Sequence, residues 1–193
     1  MSRPSLTVLA GPNGSGKSSI YEKLQPVGEF VNADVIEAAL PPGLSKAERQ
    51  VQAGRIAVTR ISKLLADRID FTFETTLSSR HAISTIEKAK DQGFGITLIY
   101  VVLDHPQRNI DRVRFRVASG GHDIPADAIT RRYEAGFSNL DRALRLSDAA
   151  AIIDNSAREP HIVFEIEKRK IVSERISTDL HRRLEAIVRR TTR

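Results

Sequence analysis

The chain alternates between short apolar runs and longer segments in which apolar residues recur every three or four positions. The clearest run, ITLIYVVL at 96–103, is apolar on both faces, as central strands of parallel sheets are. The longer segments, such as 46–67 and 126–146, have the period of helices that bury one face. Strands that alternate with helical connections predict an α/β protein, with a mainly parallel sheet and helices on both faces.

The same patterns predict the other elements. We expect further strands at 6–10, 29–32, 69–75 and 149–154, and further helices at 17–24, 80–92 and 106–118. One face of the helix at 46–67 would carry most of Val51, Ile56, Val58, Ile61, Leu64 and Leu65. Residues 161–167 alternate and predict an added edge strand, and 175–190 predict a basic amphipathic helix. We therefore expect a core at 1–160 with a small lid at about 106–132, followed by a C-terminal strand and helix at 161–193 that pack on the core or extend it.

The composition is that of an ordinary globular protein, and it excludes several kinds of chemistry. Of the 193 residues, 40% are hydrophobic and 28% are charged, while none is cysteine. The lack of cysteine excludes disulfides, thiol nucleophiles, iron–sulfur clusters and cysteine-ligated zinc. No apolar run approaches the roughly 20 residues of a membrane span, and the N-terminus has no segment typical of a signal peptide. We therefore expect a cytoplasmic protein without a membrane as partner.

The net charge of +6 comes from the end of the chain. Residues 168–193 contain nine basic and three acidic side chains, so residues 1–167 are balanced. A nucleic-acid-binding protein would need a basic groove across its body and aromatic side chains for base stacking, but aromatics make up only 5%. The sequence therefore disfavours nucleic acid as a partner.

A glycine-rich segment after the first predicted strand carries the strongest motif. Residues 11–18, GPNGSGKS, fit the phosphate-loop pattern G-x-x-x-x-G-K-[ST] and open a predicted helix. The glycines let backbone N–H groups face a phosphate, Lys17 would reach the β- and γ-phosphates, and the Ser18 hydroxyl would bind Mg²⁺. The motif predicts a P-loop nucleotide-binding protein. Its predicted nucleotide-binding residues are Gly11, Pro12, Asn13, Gly14, Ser15, Gly16, Lys17, Ser18 and Ser19.

An acidic residue follows the second predicted strand, where the carboxyl ends of parallel strands would face the phosphate loop. Asp34 could accept the proton of a substrate hydroxyl that attacks the γ-phosphate. It could equally cap a helix at 35–40, because aspartate is a preferred helix cap. The spacing alone favours neither role.

Polar residues also follow the third predicted strand, in the sequence FETTLSSR. Glu74, Thr75 and Thr76 would lie at the carboxyl end of that strand and could hold the acceptor substrate, with Arg80 on an anionic part of it. The alternative is a polar turn in which Ser79 caps the next helix.

Several arginines surround a pair of glycines in the second half of the chain. They lie in the helix at 106–118 and just beyond Gly120 and Gly121, and those of interest are Arg108, Arg112, Arg116, Arg131 and Arg132. Arginines around a glycine hinge suit a lid that closes on the transferring phosphate, and the alternative is a solvated helix face. His122 lies in the hinge and could contact the substrate or be structural. No paired-histidine motif predicts a zinc site.

The motifs GPNGSGKSS, NAD, FETTLSSR, RVASGGHDIP, RRY and IIDNS together resemble the zeta-toxin-like P-loop kinases, and most closely their small chromosomal branch, over about residues 4–156. The resemblance implies a nucleoside-monophosphate-kinase-like core, ATP or GTP with Mg²⁺, and phosphoryl transfer to an alcohol group of a small molecule. In zeta toxins the acceptor is the 3′-hydroxyl of UDP-N-acetylglucosamine, and the result is blocked wall synthesis. A nucleotide-sugar acceptor and an antitoxin partner are therefore implied.

The resemblance also implies roles for single residues. Lys17 and Ser18 match the phosphate-loop residues, Asp34 matches the catalytic base, and Glu74 matches the acid of the acceptor site. Arg116 matches one of two phosphate-stabilising arginines, with Arg112 and Arg131 as the other candidates. This chain departs from the family in its GGHDIP segment, which replaces an arginine-bearing part of the lid, and in its shorter length.

Three functions remain open from the sequence. The first is a small-molecule kinase of the zeta-toxin type. The second is a nucleic-acid-associated ATPase or polynucleotide end kinase, which only the basic tail favours. The third is a regulatory nucleotide-binding module that acts through a partner, with the tail helix as its docking element.

Overall fold

The computed structural model describes residues 3–121 and 123–192, which contain seven strands and seven helices. The strands are β1 (Ser5–Ala10), β2 (Glu29–Val31), β3 (Phe71–Thr75), β4 (Gly95–Val102), β5 (Ala149–Asp154), β6 (His161–Glu167) and β7 (Lys170–Glu174). The helices are α1 (Lys17–Leu24), α2 (Ala33–Ala38), α3 (Lys46–Ala66), α4 (Arg80–Asp91), α5 (Pro106–Ala118), α6 (Ala126–Leu146) and α7 (Asp179–Thr191). None of these helices is long and apolar enough to cross a membrane.

The seven strands form a sheet in the order β2-β3-β1-β4-β5-β6-β7. The first five in this order pair in parallel, and β6 and β7 extend the sheet as antiparallel strands. The predicted fold class, an α/β protein with a mainly parallel sheet, is confirmed. Because the carboxyl ends of the parallel strands meet at one edge, the loops that leave them lie together.

Apolar side chains fill both faces of the sheet. The larger cluster takes residues such as Leu6 and Val8 from β1 and packs them against α3, α4, α6 and α7. Leu9 points to the opposite face, as alternation along a strand requires, and joins a smaller cluster with Ile20 of α1. A third cluster joins the two helices of the predicted lid, and it consists of Ile110, Val113, Ile124, Ala128 and Ile129.

The C-terminal strands differ from the prediction. Residues 161–167 do form a strand, but β6 pairs with β5 on one side and with β7 on the other, so the edge strand is β7. The two are joined by Lys168 and Arg169, with φ of 47° and 65°. Two residues with positive φ make the tight turn that antiparallel hairpins favour. Neither is the glycine or asparagine that signals such a turn, and the hairpin was therefore missed.

The basic C-terminal helix is shorter than predicted and is part of the core. It begins at Asp179 rather than 175, because the Thr178 hydroxyl accepts the N–H of His181 and caps it. Its apolar residues belong to the main core cluster. Arg183 and Arg189 form ion pairs with Glu134 and Glu174, respectively. The apolar face of this helix is therefore packed in the core and is not available to dock a partner.

Helix α3 buries Ile61, Leu64 and Leu65 of the six apolar residues predicted for its buried face, but not the valines. Val51 and Val58 are 55% and 42% exposed, while Ala53 and Ala57 are buried together with Ile61. The helix begins as a capping box, in which Ser45 and Glu48 bond each other's main-chain N–H groups.

Candidate functional site

The phosphate loop lies between β1 and α1, at the carboxyl edge of the sheet. Gly14 and Gly16 have φ of 76° and 97°, a backbone region that other residues rarely adopt. A Cβ at Gly14 would lie 2.5 Å from the main-chain oxygen of Asn109, so α5 rests directly on the loop. The Asn109 side chain also donates to the oxygen of Asn13, at 2.7 Å. The loop is therefore held in the open shape that exposes its N–H groups.

Lys17 is buried at the floor of this loop, with only 6% of its surface exposed. Its ammonium donates to the carbonyl oxygens of Gly11 and Pro12, at 2.8 and 3.3 Å. The same ammonium lies 3.6 Å from a carboxylate oxygen of Glu74, which lies near the end of β3, the strand next to β1 in the sheet. The structure therefore brings together two predicted site residues from distant parts of the chain.

Asn32 holds the acidic groups on the other side of the cleft. Its side-chain oxygen accepts the N–H groups of Asp34 and Val35 and so caps α2. Its side-chain nitrogen donates to Glu74, at 2.8 Å. The alternative role of Asp34 as a helix cap is therefore wrong, because Asn32 has that role. The Asp34 carboxylate is left exposed in the first turn of α2, where it lines the cleft.

The predicted substrate residues after Glu74 do not reach the cleft. The Thr75 hydroxyl accepts the N–H of Leu77, and the Thr76 hydroxyl is bonded to Ser78 at 2.8 Å. Ser79 caps α4, and Arg80 is exposed at the start of that helix. The segment thus forms the polar turn that was the alternative prediction. The Leu77 side chain of the same turn is completely buried.

Helix α5 brings arginines to the cleft from the side opposite α2. Arg112 and Arg116 line it, together with Gly120 and Gly121. Arg112 donates to the main-chain oxygen of Asn155, at 2.8 Å. Arg108 lies one turn earlier and forms an ion pair outside the cleft. His122, a predicted substrate residue, lies outside the described residues.

The arginines of α6 differ from the prediction. The Arg131 side chain is 71% exposed, lies 3.7 Å from Asp127 on its own helix, and does not line the cleft. The next residue, Arg132, reaches back to the phosphate loop and donates to the side-chain oxygen of Asn13 at 2.9 Å. Arg131 therefore stays a predicted lid residue that lies outside the cleft in this structure, while Arg132 is the α6 arginine at the site.

Two adjoining pockets share the loop residue Asn13 and the carboxylate of Asp34. The larger, here called the phosphate cleft, has a volume of about 660 Å³. It is lined by Asn13, Gly14, Gly16, Lys17, Ser18, Ser19, Asn32, Asp34, Val35, Ala38, Glu74, Arg112, Arg116, Gly120, Gly121 and Asn155. The smaller, here called the side pocket, has a volume of about 260 Å³ and lies between α2, α3 and the start of α6.

The segment after β5 supports the site and was missed as a functional element. The Asn155 side chain donates to the main-chain oxygen of Ser15, at 2.7 Å, and so links the phosphate loop to Arg112. Like Asn32, Asn155 follows directly after a strand of the parallel sheet. A polar residue directly after a parallel strand indicates a site residue, and this rule pointed to Asp34 and Glu74. The two asparagines satisfy the same rule.

A buried hydrogen-bonded group lies behind this segment. His181 Nε2 is 2.9 Å from a carboxylate oxygen of Asp154, and His161 Nε2 is 4.0 Å from the same oxygen. Burial raises the pKa of Asp154, but hydrogen bonds from Ser156 and His181 outweigh this and hold it below the ordinary value. The N–H of Ser177 donates to His181 Nδ1, so Nε2 carries the proton and donates to Asp154. This arrangement suits a structural contact rather than a metal ion.

The residues of the phosphate cleft fit a nucleoside triphosphate with Mg²⁺. The loop supplies N–H groups and the start of α1 for phosphate oxygens. Lys17, Arg112 and Arg116 supply positive charge, and the exposed Ser18 lines the cleft where a metal-binding hydroxyl is needed. A Cβ at Gly16 would overlap the side-chain nitrogen of Asn155, so the backbone of the loop needs glycine at this position.

A sequence relative matches about two-thirds of this chain. A protein of Haemophilus influenzae (strain ATCC 51907 / DSM 11121 / KW20 / Rd), described as uncharacterized, is 33% identical over 124 residues, which are 64% of this chain and 88% of that protein.

Two kinds of solved complex have a similar fold. A chain of the AvrRxo1-ORF1:AvrRxo1-ORF2 complex with sulphate ions superposes with a TM-score of 0.75 at 19% identity, covering 96% of this chain and 64% of that one. The same complex has been solved with ATP. A chain of the PezAT chromosomal toxin–antitoxin system of Streptococcus pneumoniae superposes with a TM-score of 0.66 at 14% identity, covering 99% and 86%. This chain thus spans about two-thirds of the AvrRxo1 chain's length.

The family model of the zeta toxin matches residues 1–160, which contain every strand of the parallel sheet and all the residues of both pockets. The resemblance inferred from the motifs is thereby confirmed. Together with the kinase-like P-loop fold, this match supports a phosphotransferase. The chain belongs to the zeta toxin family.

Proposed function

We propose that this protein is an ATP-dependent small-molecule kinase that transfers the γ-phosphate to a hydroxyl of its acceptor. One observation carries the proposal: the Asp34 carboxylate borders both the phosphate cleft and the side pocket. A hydroxyl held in the side pocket would meet the γ-phosphate beside this carboxylate. A simple ATPase needs no second pocket at that point.

The proposed reaction assigns a task to each group of residues. The acceptor oxygen attacks the γ-phosphorus, its new O–P bond forms, the bond to the β-phosphate oxygen breaks, and ADP leaves. Asp34 takes the proton of the acceptor hydroxyl. Lys17, Arg112 and Arg116 stabilise the negative charge on the phosphoryl group during transfer. Glu74, between Lys17 and Asn32, keeps the lysine oriented.

Arg132 is proposed as a further residue that stabilises the phosphoryl group. It is the α6 arginine that contacts the phosphate loop, and it also lines the side pocket. Its charge therefore lies at the junction where phosphate and acceptor would meet. Arg131 offers a matched control on the same helix, since it is exposed and paired with Asp127.

Mg²⁺ fits the proposal as the ion that neutralises the β- and γ-phosphates, with the Ser18 hydroxyl as its protein ligand. ATP is the first donor to test, and GTP is the alternative. A nucleotide sugar such as UDP-N-acetylglucosamine is the first acceptor to test, because the family relation suggests it. Family membership and the similar chain of the PezAT toxin–antitoxin system support an antitoxin as protein partner. A kinase of this kind would act in the cytoplasm, where ATP is available.

The test compares four variants of the purified protein in an assay of phosphate transfer from ATP to a panel of nucleotide sugars and sugars. Asp34→Asn should bind ATP normally but transfer phosphate about 10²- to 10⁴-fold more slowly. Lys17→Ala should abolish transfer. Arg132→Ala should slow transfer strongly, whereas Arg131→Ala should not. Transfer at the wild-type rate by the Asp34 or the Lys17 variant would refute the proposed mechanism.

A further inference from the structure

Helix α2, which carries Asp34, has no fully buried side chain to hold it in place. Its residues, Ala33–Ala38, are exposed or half-buried, and Ile36 packs only partly against the main core cluster. A helix of fewer than two turns that is not anchored in the core depends on the contacts at its ends. At the carboxyl end, Arg49 of α3 donates to the main-chain oxygen of Glu37, at 2.6 Å. The place of the Asp34 carboxylate, in the first turn, therefore depends on what holds the amino end.

The amino end of α2 is held by Asn32, which is buried with 7% of its surface exposed. Its side-chain oxygen accepts the N–H groups of Asp34 and Val35, at 2.7 and 3.3 Å. Its side-chain nitrogen donates to a carboxylate oxygen of Glu74, at 2.8 Å. Aspartate would cap the helix equally well, but it has no donor for a carboxylate. The cap alone therefore does not account for an asparagine at this position.

Glu74 continues this chain of contacts to the phosphate loop. One of its carboxylate oxygens accepts from Asn32, and the other lies 3.6 Å from the ammonium of Lys17. The side chains of Glu74 and Lys17 are only 11% and 7% exposed, so salt in the solvent screens their interaction little. Lys17, Glu74 and Asn32 thus connect the phosphate loop to the first turn of α2. These are the two parts of the site that the proposed reaction must hold at a fixed separation.

We infer that Asn32 is a positioning residue of the phosphoryl transfer, which holds the Asp34 carboxylate at a fixed place relative to the phosphate loop. This inference rests on the proposed function, because it takes Asp34 as the base of that kinase. Asn32 borders the phosphate cleft, but this role requires no contact with the nucleotide or with the acceptor. A base that is displaced by about 1 Å can cost about 100-fold in rate, because the reacting atoms must be aligned.

Asn32→Ser tests this role, because serine is also a favoured helix cap but has no counterpart of the amide nitrogen that reaches Glu74. The assay follows ADP and phosphate ester at saturating ATP and Mg²⁺, with UDP-N-acetylglucosamine as the probe acceptor and, in its absence, with water. We expect kcat to fall about 10- to 100-fold, while the Kd for ATP, measured by calorimetry, stays at the wild-type value. Asn32→Asp also keeps the cap but loses the donor, and it should show the same pattern.

Ser79→Ala is the matched control for a disturbed helix start. Ser79 caps α4 by accepting the N–H of Ala82, and it does not line the phosphate cleft. This variant should keep the wild-type kcat, and melting curves show whether each variant is folded. An equal loss of kcat in Ser79→Ala, or a wild-type kcat in both Asn32 variants, would overturn the inference.

A double variant tests whether Asn32 acts through Asp34. In the Asp34→Asn background there is no carboxylate to position, so adding Asn32→Ser should slow transfer no further. Two residues with independent roles would instead multiply their effects on the rate. A further loss in the double variant as large as that caused by Asn32→Ser alone would overturn the inference.

The inference and the proposed function fail in different ways. If the wild type neither binds nor uses ATP, the kinase itself is refuted, and the inference falls with it. If Lys17→Ala and Asp34→Asn are slow but both Asn32 variants are not, only the positioning role is overturned. It is also overturned if the Kd for ATP rises as much as kcat falls, because Asn32 would then act on the nucleotide. A wild type that binds ATP but transfers phosphate to neither probe overturns it too, since Asp34 would have no transfer to serve.

Discussion

Gly16 and Asn155 provide a sharp test of how the phosphate loop is held. Gly16 has φ of 97°, and a Cβ there would overlap the side-chain nitrogen of Asn155. That nitrogen donates to the main-chain oxygen of Ser15, at 2.7 Å. Gly16→Ala must therefore both strain the backbone and push Asn155 off its hydrogen bond. The neighbour can move, because it is the end of a side chain rather than backbone.

The two effects can be separated by a double-mutant cycle. The backbone strain of a side chain in the left-handed region is about 1–2 kcal/mol, and the lost hydrogen bond adds about 1 kcal/mol. Gly16→Ala should therefore lower the free energy of unfolding by about 2–3 kcal/mol. Asn155→Ala alone should cost about 1 kcal/mol. In the double variant the hydrogen bond is lost only once, so the total should be about 1 kcal/mol less than the sum.

Urea unfolding of the four proteins measures this coupling directly. The ATP affinity of each variant, measured by titration calorimetry, should follow the same order, because the loop that Asn155 holds is the loop that binds phosphate. Strictly additive unfolding energies would refute the reasoning, since they would mean that the alanine at 16 does not disturb Asn155. If Gly16→Ala had the free energy of unfolding and the ATP affinity of the wild type, the loop would be able to shift and accept the side chain.

Further predictions concern stability and the tail. Leu184→Ala should lower the free energy of unfolding by about 2–5 kcal/mol in urea, because this side chain of α7 is fully buried. The lowered pKa of Asp154 stabilises the fold above the ordinary carboxyl value of 3.8, and this stabilisation is lost as the pH falls below it. Melting curves from pH 7 to 3 should thus show a steeper loss for the wild type than for Asp154→Asn. Any nucleic-acid binding by the full chain, measured by fluorescence anisotropy, should be weak and should fall steeply with salt, because it would depend on the basic residues beyond 167.

The elements that the sequence predicted well are those with a local cause. The helix at 126–146 matches α6 to the residue, because its apolar positions recur with the helical period along its whole length. The phosphate loop is equally local, since positive φ angles at fixed positions demand glycine. Parallel strands that are apolar on both faces predicted the sheet, and the fold class followed from their alternation with helices.

Predictions failed where the answer depended on distant parts of the chain. Whether Asp34 caps α2 was undecidable from spacing, because Asn32 and Asp34 are both good caps. The contact of Asn32 with Glu74, 42 residues away, holds Asn32 in the capping position. In the same way, Thr75 and Thr76 had the right residue types for a substrate site. In the structure their hydroxyls bond to Leu77 and Ser78 within the same turn, and the Leu77 side chain is buried in the core.

The sequence by itself determined the sheet, the phosphate loop and the position of Asp34 at a strand end, because each follows from periodicity or backbone geometry within a few residues. Only the tertiary structure decided between Arg131 and Arg132. Tyr133 and Phe137 are buried in the core, and this burial sets the rotation of α6 about its axis. Arg132 is then aimed at Asn13, while Arg131 faces solvent. Adjacent residues on a helix point about 100° apart, and only packing against the rest of the molecule fixes which of them reaches the site.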